Sequence, residues 1–306
     1  MVEKEIIIID KTLVVLEALY KDKLIKKIPQ LRTLIRLLHE IGSDYIEITP
    51  ELYNILSPFP QNINIKINNN IREFKSEINT SCEFKNELIG KENINLRLVG
   101  LDSLIFYDFE RIFSNIINEF GNNIEMCITN KYNAANAMSL EWIHSGGRKI
   151  VTTFSGIGGY TALESILGAL EFLENMKPKG NYILFPEVLK IFEEITENEI
   201  MTNTPFIGKD IFNVESGIHV NGIAKNPQTY EPYDPSEIGR TRNIIIGKHS
   251  GVSSLKVKLK ELHIEYKENA LSNMLEKIRE ICTQKRRGLN DEEIKQLFKN
   301  CGVLCK

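Results

Sequence analysis

EIIIIDKTLVVLEALYKDKLIKKIPQLRTLIRLLHEIGSDYIEI, residues 5 to 48, holds two β-branched runs with a helical stripe between them. EIIIID (5 to 10) and DYIEI (44 to 48) are apolar through their middles, as strands covered on both faces must be. Leu31, Leu34, Ile35, Leu38 and Ile41 recur at three- and four-residue intervals, one face of a helix that stops at Gly42. Strand, helix, strand in that order is a parallel βαβ unit.

The alternation continues. NINIKI (62 to 67), INLRLV (94 to 99), IEMCIT (124 to 129) and KIVTTF (149 to 154) read as further buried strands, whereas residues 68 to 93 are polar, weakly periodic, and read as an irregular linker or short helix. An α/β barrel and an open doubly wound sheet both fit this pattern. A full barrel of eight units takes about 250 residues. Here the pattern changes after NMKPKGNY (175 to 182), so a barrel would be incomplete. The expected domains are 1–180 as barrel, 181–250 as a turn-rich subdomain, and 251–306 as a helical subdomain. In the last of these, Leu271, Met274, Leu275, Ile278 and Cys282 share a helix face that ends in Lys285, Arg286 and Arg287 before Gly288. The helical stripes of 251–299 are expected to remain partly uncovered in the chain alone.

Composition narrows the function. The chain has 306 residues, 42% hydrophobic and 26% charged, with a formal charge of −3, so nothing electrostatic favours nucleic acid. No apolar run approaches the roughly 18 residues of a membrane span, and a cytoplasmic protein without membrane partners is expected. Five cysteines, at 82, 127, 282, 301 and 305, suit free thiols; Cys301 and Cys305 could give at most two metal ligands and read as a helical tail. His39, His144 and His263 sit in helical patterns without ligand partners at useful spacing.

Two motifs carry chemistry. ESGIHVNGIAKNPQTY (215 to 230) sets His219 between glycines and Tyr230 eleven positions on, a pairing suited to proton transfer. IIIGKHSG (244 to 251) places Lys248, His249 and Ser250 between a strand and a helix; Ser250 could cap that helix and the cations could bind a carboxylate.

SGIHVNGIAKNPQTYEPYDPSEIGR followed by IIIGKHSG resembles, nearly residue for residue, the region after the barrel in homocitrate and isopropylmalate synthases. The resemblance runs upstream in weaker form. DKTLVVLEA lies where that family has D-T-T-L-R-D-G-E-Q, and TNKYNAANAMSLEWIHSGG where it has H-N-D-x-G-x-A-x-A-N-S-L-A-A-x-x-A-G, with roughly two βα units missing between residues 60 and 94. It implies a degenerate, incomplete TIM-type (β/α) barrel followed by a turn-rich and helical communication region. The departures fall on the metal site. Val14 and Val15 replace the family's enolate-stabilising arginine and metal-binding aspartate; Cys127 and Thr129 replace the H-x-H ligands, followed by Asn130 and Lys131. In RLVGLDS, Leu101 stands where a hydroxyl would hold the substrate carboxylate, and in GIGGYTALES, Leu163 replaces an asparagine ligand. A hard divalent ion needs several oxygen or nitrogen ligands at the strand mouths. Glu17 and Glu47 remain near strand ends and read as solvated surface.

The resemblance therefore implies a chain that binds no metal and no cofactor of its own. Its partner would be the alpha subunit of a two-subunit homocitrate synthase, which carries a divalent metal and shares acetyl-CoA and 2-oxoglutarate at a common site. His219 and Tyr230 would reach into that site in trans, with Glu215, Asn221, Lys248, His249 and Ser250 orienting the segment or contacting substrate. Homocitrate made in this way would serve the iron-molybdenum cofactor of nitrogenase. No leucine-sensing domain is seen after the helices, unlike feedback-regulated isopropylmalate synthases. The alternative is a noncatalytic partner that stabilises or regulates a complete synthase while both rings merely pack in a turn-rich subdomain.

Overall fold

The computed structural model describes residues 6–76, 96–101, 103–177 and 179–300. Contacts divide the chain into two compact units, Met1–Gly208 and Lys209–Lys306.

Among the described residues seven strands build the first unit: β1 Ile7–Asp10, β2 Tyr45–Ile48, β3 Ile65–Ile67, β4 Arg72–Ser76, β5 Leu96–Gly100, β6 Glu125–Ile128 and β7 Lys149–Thr152. They hydrogen-bond in the order β3-β2-β1-β7-β6-β5-β4, and every pairing is parallel. Followed around, chain order is kept and β7 returns to β1, with one break between β3 and β4. A doubly wound sheet would place β4 beside β1. This is a parallel barrel with one open seam, a degenerate form of the TIM-type barrel.

The sequence reading missed β4. Arg72–Ser76 pairs with β5 over the whole of Leu96–Gly100 in a segment read as linker, which adds a seventh barrel strand among the described residues. The miss has a physical cause. Hydrophobic alternation marks strands whose inner face is apolar, and the inner face here is charged.

Arg97, in β5, is fully buried, and all five of its N–H donors are used. Nε and Nη2 donate to Glu125 at 3.1 and 2.8 Å, and Nη1 donates to Glu47 and Glu73 at 3.0 and 3.2 Å. Nη2 also donates to Glu47. Lys66 of β3 pairs with Glu125, and Lys11, just past β1, reaches Glu73 at 3.4 Å. Three glutamates thus meet three cations. Because Lys66 lies on β3 and Glu73 on β4, the ion chain Lys66–Glu125–Arg97–Glu73 spans the seam that backbone pairing leaves open. Glu47, read as solvated surface, is 1% exposed and belongs to this network. An apolar cluster of Ile9, Val99, Cys127 and Val151, with Ile7 and Tyr160 packed against it, accompanies the network.

Helices clothe the barrel. Those named below are α1 Thr12–Tyr20, α2 Ile28–Glu40, α3 Pro50–Leu56, α4 Phe109–Phe120, α5 Ala135–His144, α6 Leu163–Phe172 and α7 Phe185–Thr196. Helix α2 buries the predicted stripe Leu31, Leu34, Ile35 and Leu38, and α7 packs on it, keeping residues past 180 with the barrel. No helix among the described residues is long and apolar enough to cross a membrane.

The second unit starts with β8 Asn213–Val214 and β9 Asn243–Ile244, a parallel pair, and continues through α8 Gly217–Lys225, α9 Val252–Glu261, α10 Leu271–Lys285 and α11 Asp291–Asn300. The stripe Leu271, Met274, Leu275, Ile278 and Cys282 is buried with Leu255, Leu259, Ile294 and Phe298, so these helices cover one another more fully than expected. Of the basic triplet, Lys285 and Arg287 are paired with Glu293 of α11. Cys82, Cys301 and Cys305 lie outside the described residues; Cys127 and Cys282 are free thiols.

Removing one partner from a buried, hydrogen-bonded ion network leaves uncompensated charge and costs about 3–5 kcal/mol. Arg97→Ala should therefore lower the unfolding free energy of the barrel unit by that amount in urea titrations. Arg97→Lys should recover little, since one ammonium cannot fork to three carboxylates. Wild-type stability in Arg97→Ala would show that the network contributes nothing.

A second prediction concerns pH. Asp10, which accepts hydrogen bonds from Thr12, and Glu164, which accepts from the Ser155 N–H at 2.9 Å, are both fully buried, and burial raises each to about 7. The folded state thus holds protons that the unfolded chain releases near pH 4 to 4.5. Their stabilising contribution is full below that range and is lost as pH rises through about 7. For Glu164, raised from 4.5 to about 7, the change is on the order of 3 kcal/mol. Glu164→Gln should flatten the decline in stability between pH 4.5 and 8; an unchanged slope would contradict the assignment.

Candidate functional site

The second unit repeats one local plan twice. Strand β8 runs through Glu215 and Ser216 into α8, strand β9 runs through Ile245–Ser250 toward α9, and the two helices pack together. Parallel pairing of β8 and β9 thereby sets the two sequence motifs side by side.

Glu215 and Ser250 fasten them. The Glu215 carboxylate accepts the His249 backbone N–H at 2.8 Å and lies so close to Gly247 that a Cβ there would sit 2.4 Å from Oε1. The Ser250 hydroxyl accepts the Gly247 N–H at 3.0 Å and donates to the Glu215 carbonyl at 3.0 Å. Arg279 of α10 donates to the Ser250 carbonyl at 2.8 Å. The serine does not cap α9, whose N-cap is Gly251 without a side-chain bond. It pins the loop instead. Lys248 and His249 stand exposed on that loop.

His219 lies in the first turn of α8, exposed to solvent, while Val220 beside it is buried and anchors the helix. After Lys225 a 3₁₀ turn, Pro227–Thr229, folds the chain back, and the Tyr230 N–H donates to the Pro227 carbonyl at 3.0 Å. The Tyr230 ring then meets His219 with centroids 4.7 Å apart and planes at 44°. Tyr230 is 41% exposed and Ile218 77% exposed, so the pair stands beside an apolar side chain in solvent. Arg242 braces the following segment, binding Glu231 through Nε at 2.9 and 2.8 Å and Asp234 at 3.0 Å. Hydrogen bonds from Ser236 and Arg242 hold the Asp234 carboxyl down to about 2. The Asn221 side chain lies outside the described residues.

The first unit offers a different chemistry at its strand ends. Val15 is buried against Gly158, and Leu101 and Leu163 are buried as well. Lys11 is 5% exposed and sits 4.7 Å beneath the Tyr160 ring, beside Cys127. Burial pushes the Cys127 thiol up to about 11, although Lys11 and Arg97 pull the other way. Val14 and the half-buried Glu17 line a mostly apolar cavity of about 580 Å³ bounded by α1, α2 and α3. A divalent ion bound as in the resembled family would need carboxylate, imidazole or amide-oxygen donors at Val15, Cys127, Thr129 and Leu163, and would meet the Lys11 ammonium. The residues present do not fit it. Among the described residues, no group of three or more His, Cys, Asp or Glu side chains is placed to hold a metal.

Lys11, Tyr160, Arg97 and Gly222 were not picked out by the sequence reading. All four stand within quoted stretches, and Arg97 carried a further signal as the lone cation of its strand.

Residues 206–286 match the family model described as homocitrate synthase post-HMGL domain-like. The chain is 30% identical over 310 residues to the homocitrate synthase omega subunit of Clostridium pasteurianum, covering 87% of this chain and 88% of the relative. It is 35% identical over 171 residues to homocitrate synthase AksA of Methanocaldococcus jannaschii, covering 55% of this chain and 42% of the relative. A solved structure of an HMG-CoA lyase from Bacillus subtilis superposes with a TM-score of 0.46 at 12% identity, covering 64% of this chain and 95% of that one. The barrel assignment here rests on strand order.

Calorimetric titration of the purified chain with Mg²⁺ or Mn²⁺ should give no stoichiometric binding isotherm. Tight binding of either ion, abolished by Glu73→Gln or Glu47→Gln, would show that the carboxylates release their cations to coordinate metal.

Proposed function

The chain belongs to the family of homocitrate synthase omega subunits, and on that premise we propose that it is one subunit of a hetero-oligomeric homocitrate synthase. The reaction is acetyl-CoA, 2-oxoglutarate and water to homocitrate and CoA, carried out with an alpha subunit. One observation carries the reading: His219 on α8 and Tyr230 beyond it are paired and exposed, while the strand ends of this chain's own barrel hold Lys11, Tyr160 and the buried Cys127.

The condensation needs a proton removed from the acetyl methyl, a carbon–carbon bond made to the ketone carbon, and a proton delivered to the ketone oxygen; water then cleaves the thioester and releases CoA. Histidine is the side chain suited to moving protons near neutral pH, and a tyrosine whose ring packs against it brings a second proton-bearing group to the same place. In this proposal the alpha subunit would hold a divalent metal, which would supply polarisation of the 2-oxo acid. His219 and Tyr230 come to the reacting atoms from this chain, with Glu215 and the Lys248–Ser250 loop fixing their approach. The homocitrate formed would serve the nitrogenase iron-molybdenum cofactor.

The test is reconstitution. The isolated chain should release no CoA from acetyl-CoA with any 2-oxo acid, and co-expression with an alpha subunit should give an active complex of defined mass. In that complex His219→Ala should lower kcat by roughly 10² to 10⁴ with assembly intact, and Tyr230→Phe should have a milder effect. Val14→Ala should leave turnover near wild type. If His219→Ala assembles normally and turns over like wild type, the chain is a noncatalytic partner.

A further inference from the structure

Building on the in-trans reading, we propose that Gly222 is the positioning residue that seats Tyr230 against His219. The two α8 residues are three apart, so they share one face of the helix. The chain leaves the helix with the Asn226 N–H donating to the Gly222 carbonyl at 2.8 Å, and the Pro227–Thr229 turn then lays the Tyr230 ring back over Gly222. A Cβ at Gly222 would stand 2.1 Å from Tyr230 Cε2 and 3.0 Å from both Cδ2 and Cζ. The ring lies in the space that a side chain would fill.

No core forces this contact, since both rings are exposed. The fit between a glycine and a ring is what holds the tyrosine one helical turn from the imidazole, at a centroid distance of 4.7 Å. Glycine within a helix is otherwise less favourable than alanine, because it loses more backbone freedom and covers no surface. If the glycine were incidental, Gly222→Ala would simply strengthen α8. If it positions the ring, the same change pushes Tyr230 off and separates the pair.

The experiment uses the full chain with labelled histidine rings, the His219 resonances being identified by their loss in His219→Ala. In Gly222→Ala, the His219 ring protons should move to the values they show in Tyr230→Ala, while helical circular dichroism is kept or rises. In the Tyr230→Ala background, adding Gly222→Ala should change nothing further, a full coupling in the double-mutant cycle. Should Gly222→Ala alone fail to fold while Gly222→Ala/Tyr230→Ala folds, the collision is demonstrated by that rescue. His219 resonances at wild-type positions in Gly222→Ala, or equal shifts in both backgrounds, would overturn the proposal. Turnover of the reconstituted complex separates the two ideas. Resonances that move while kcat stays at wild type would leave the positioning intact and refute the catalytic reading. A tenfold or greater fall in kcat that tracks the shift supports both.

Discussion

The barrel depends on Arg97. Its guanidinium reaches carboxylates on β2, β4 and β6, so one side chain from β5 ties three other strands through the interior. A parallel barrel is ordinarily closed by its hydrogen-bonded ladder and filled by branched apolar layers. Here the ladder stops between β3 and β4, and Ile9, Val99, Cys127 and Val151 form an apolar cluster with Ile7 and Tyr160 packed against it. Charge supplies the missing closure. Burial works against the Arg97 charge, but the hydrogen bonds and negative charges of Glu47 and Glu125 outweigh it and hold the guanidinium above its ordinary pKa. Such a network is stable only when complete, because every unpaired member would bear its full desolvation cost.

The same network decides what the barrel can do. Carboxylates projecting into a TIM-type barrel are the natural ligands for a hard cation. In this chain Glu47, Glu73 and Glu125 are already satisfied by Arg97, Lys66 and Lys11. Lys11 sits at the end of β1 under Tyr160, so the strand ends present an ammonium and a ring. Carboxylates committed to holding a degenerate barrel together are no longer open to a cation.

Much of this was legible in the sequence because it follows hydrophobic periodicity. Six of the seven barrel strands among the described residues, and the stripes of α2 and α10, show as apolar patterns. The strand Arg72–Ser76 did not, because its inner residue Glu73 is matched by cations more than twenty residues away in either direction. Charge pairing at such separations leaves no local trace. The site was legible in part: the spacing of His219 and Tyr230 suggested a pair, and the rings do meet. Its fastening was not. Ser250 bridges two loops instead of capping a helix, because parallel pairing of two-residue strands brings Glu215 beside it, and strands that short carry no periodicity.

An imidazole and a phenol exposed on a helix can exchange protons with water as readily as with a substrate, so their pairing alone gives little rate. Proton transfer becomes effective when the groups are held near the reacting atoms and water is excluded. The second unit supplies the holding: Val220 anchors α8, Gly222 admits the ring, Arg242 braces the segment beyond, and Glu215 locks the neighbouring loop. The exclusion of water has to come from the surface that covers Ile218, His219 and Tyr230. Under the proposed in-trans role, association with the partner would itself be the step that creates the catalytic environment.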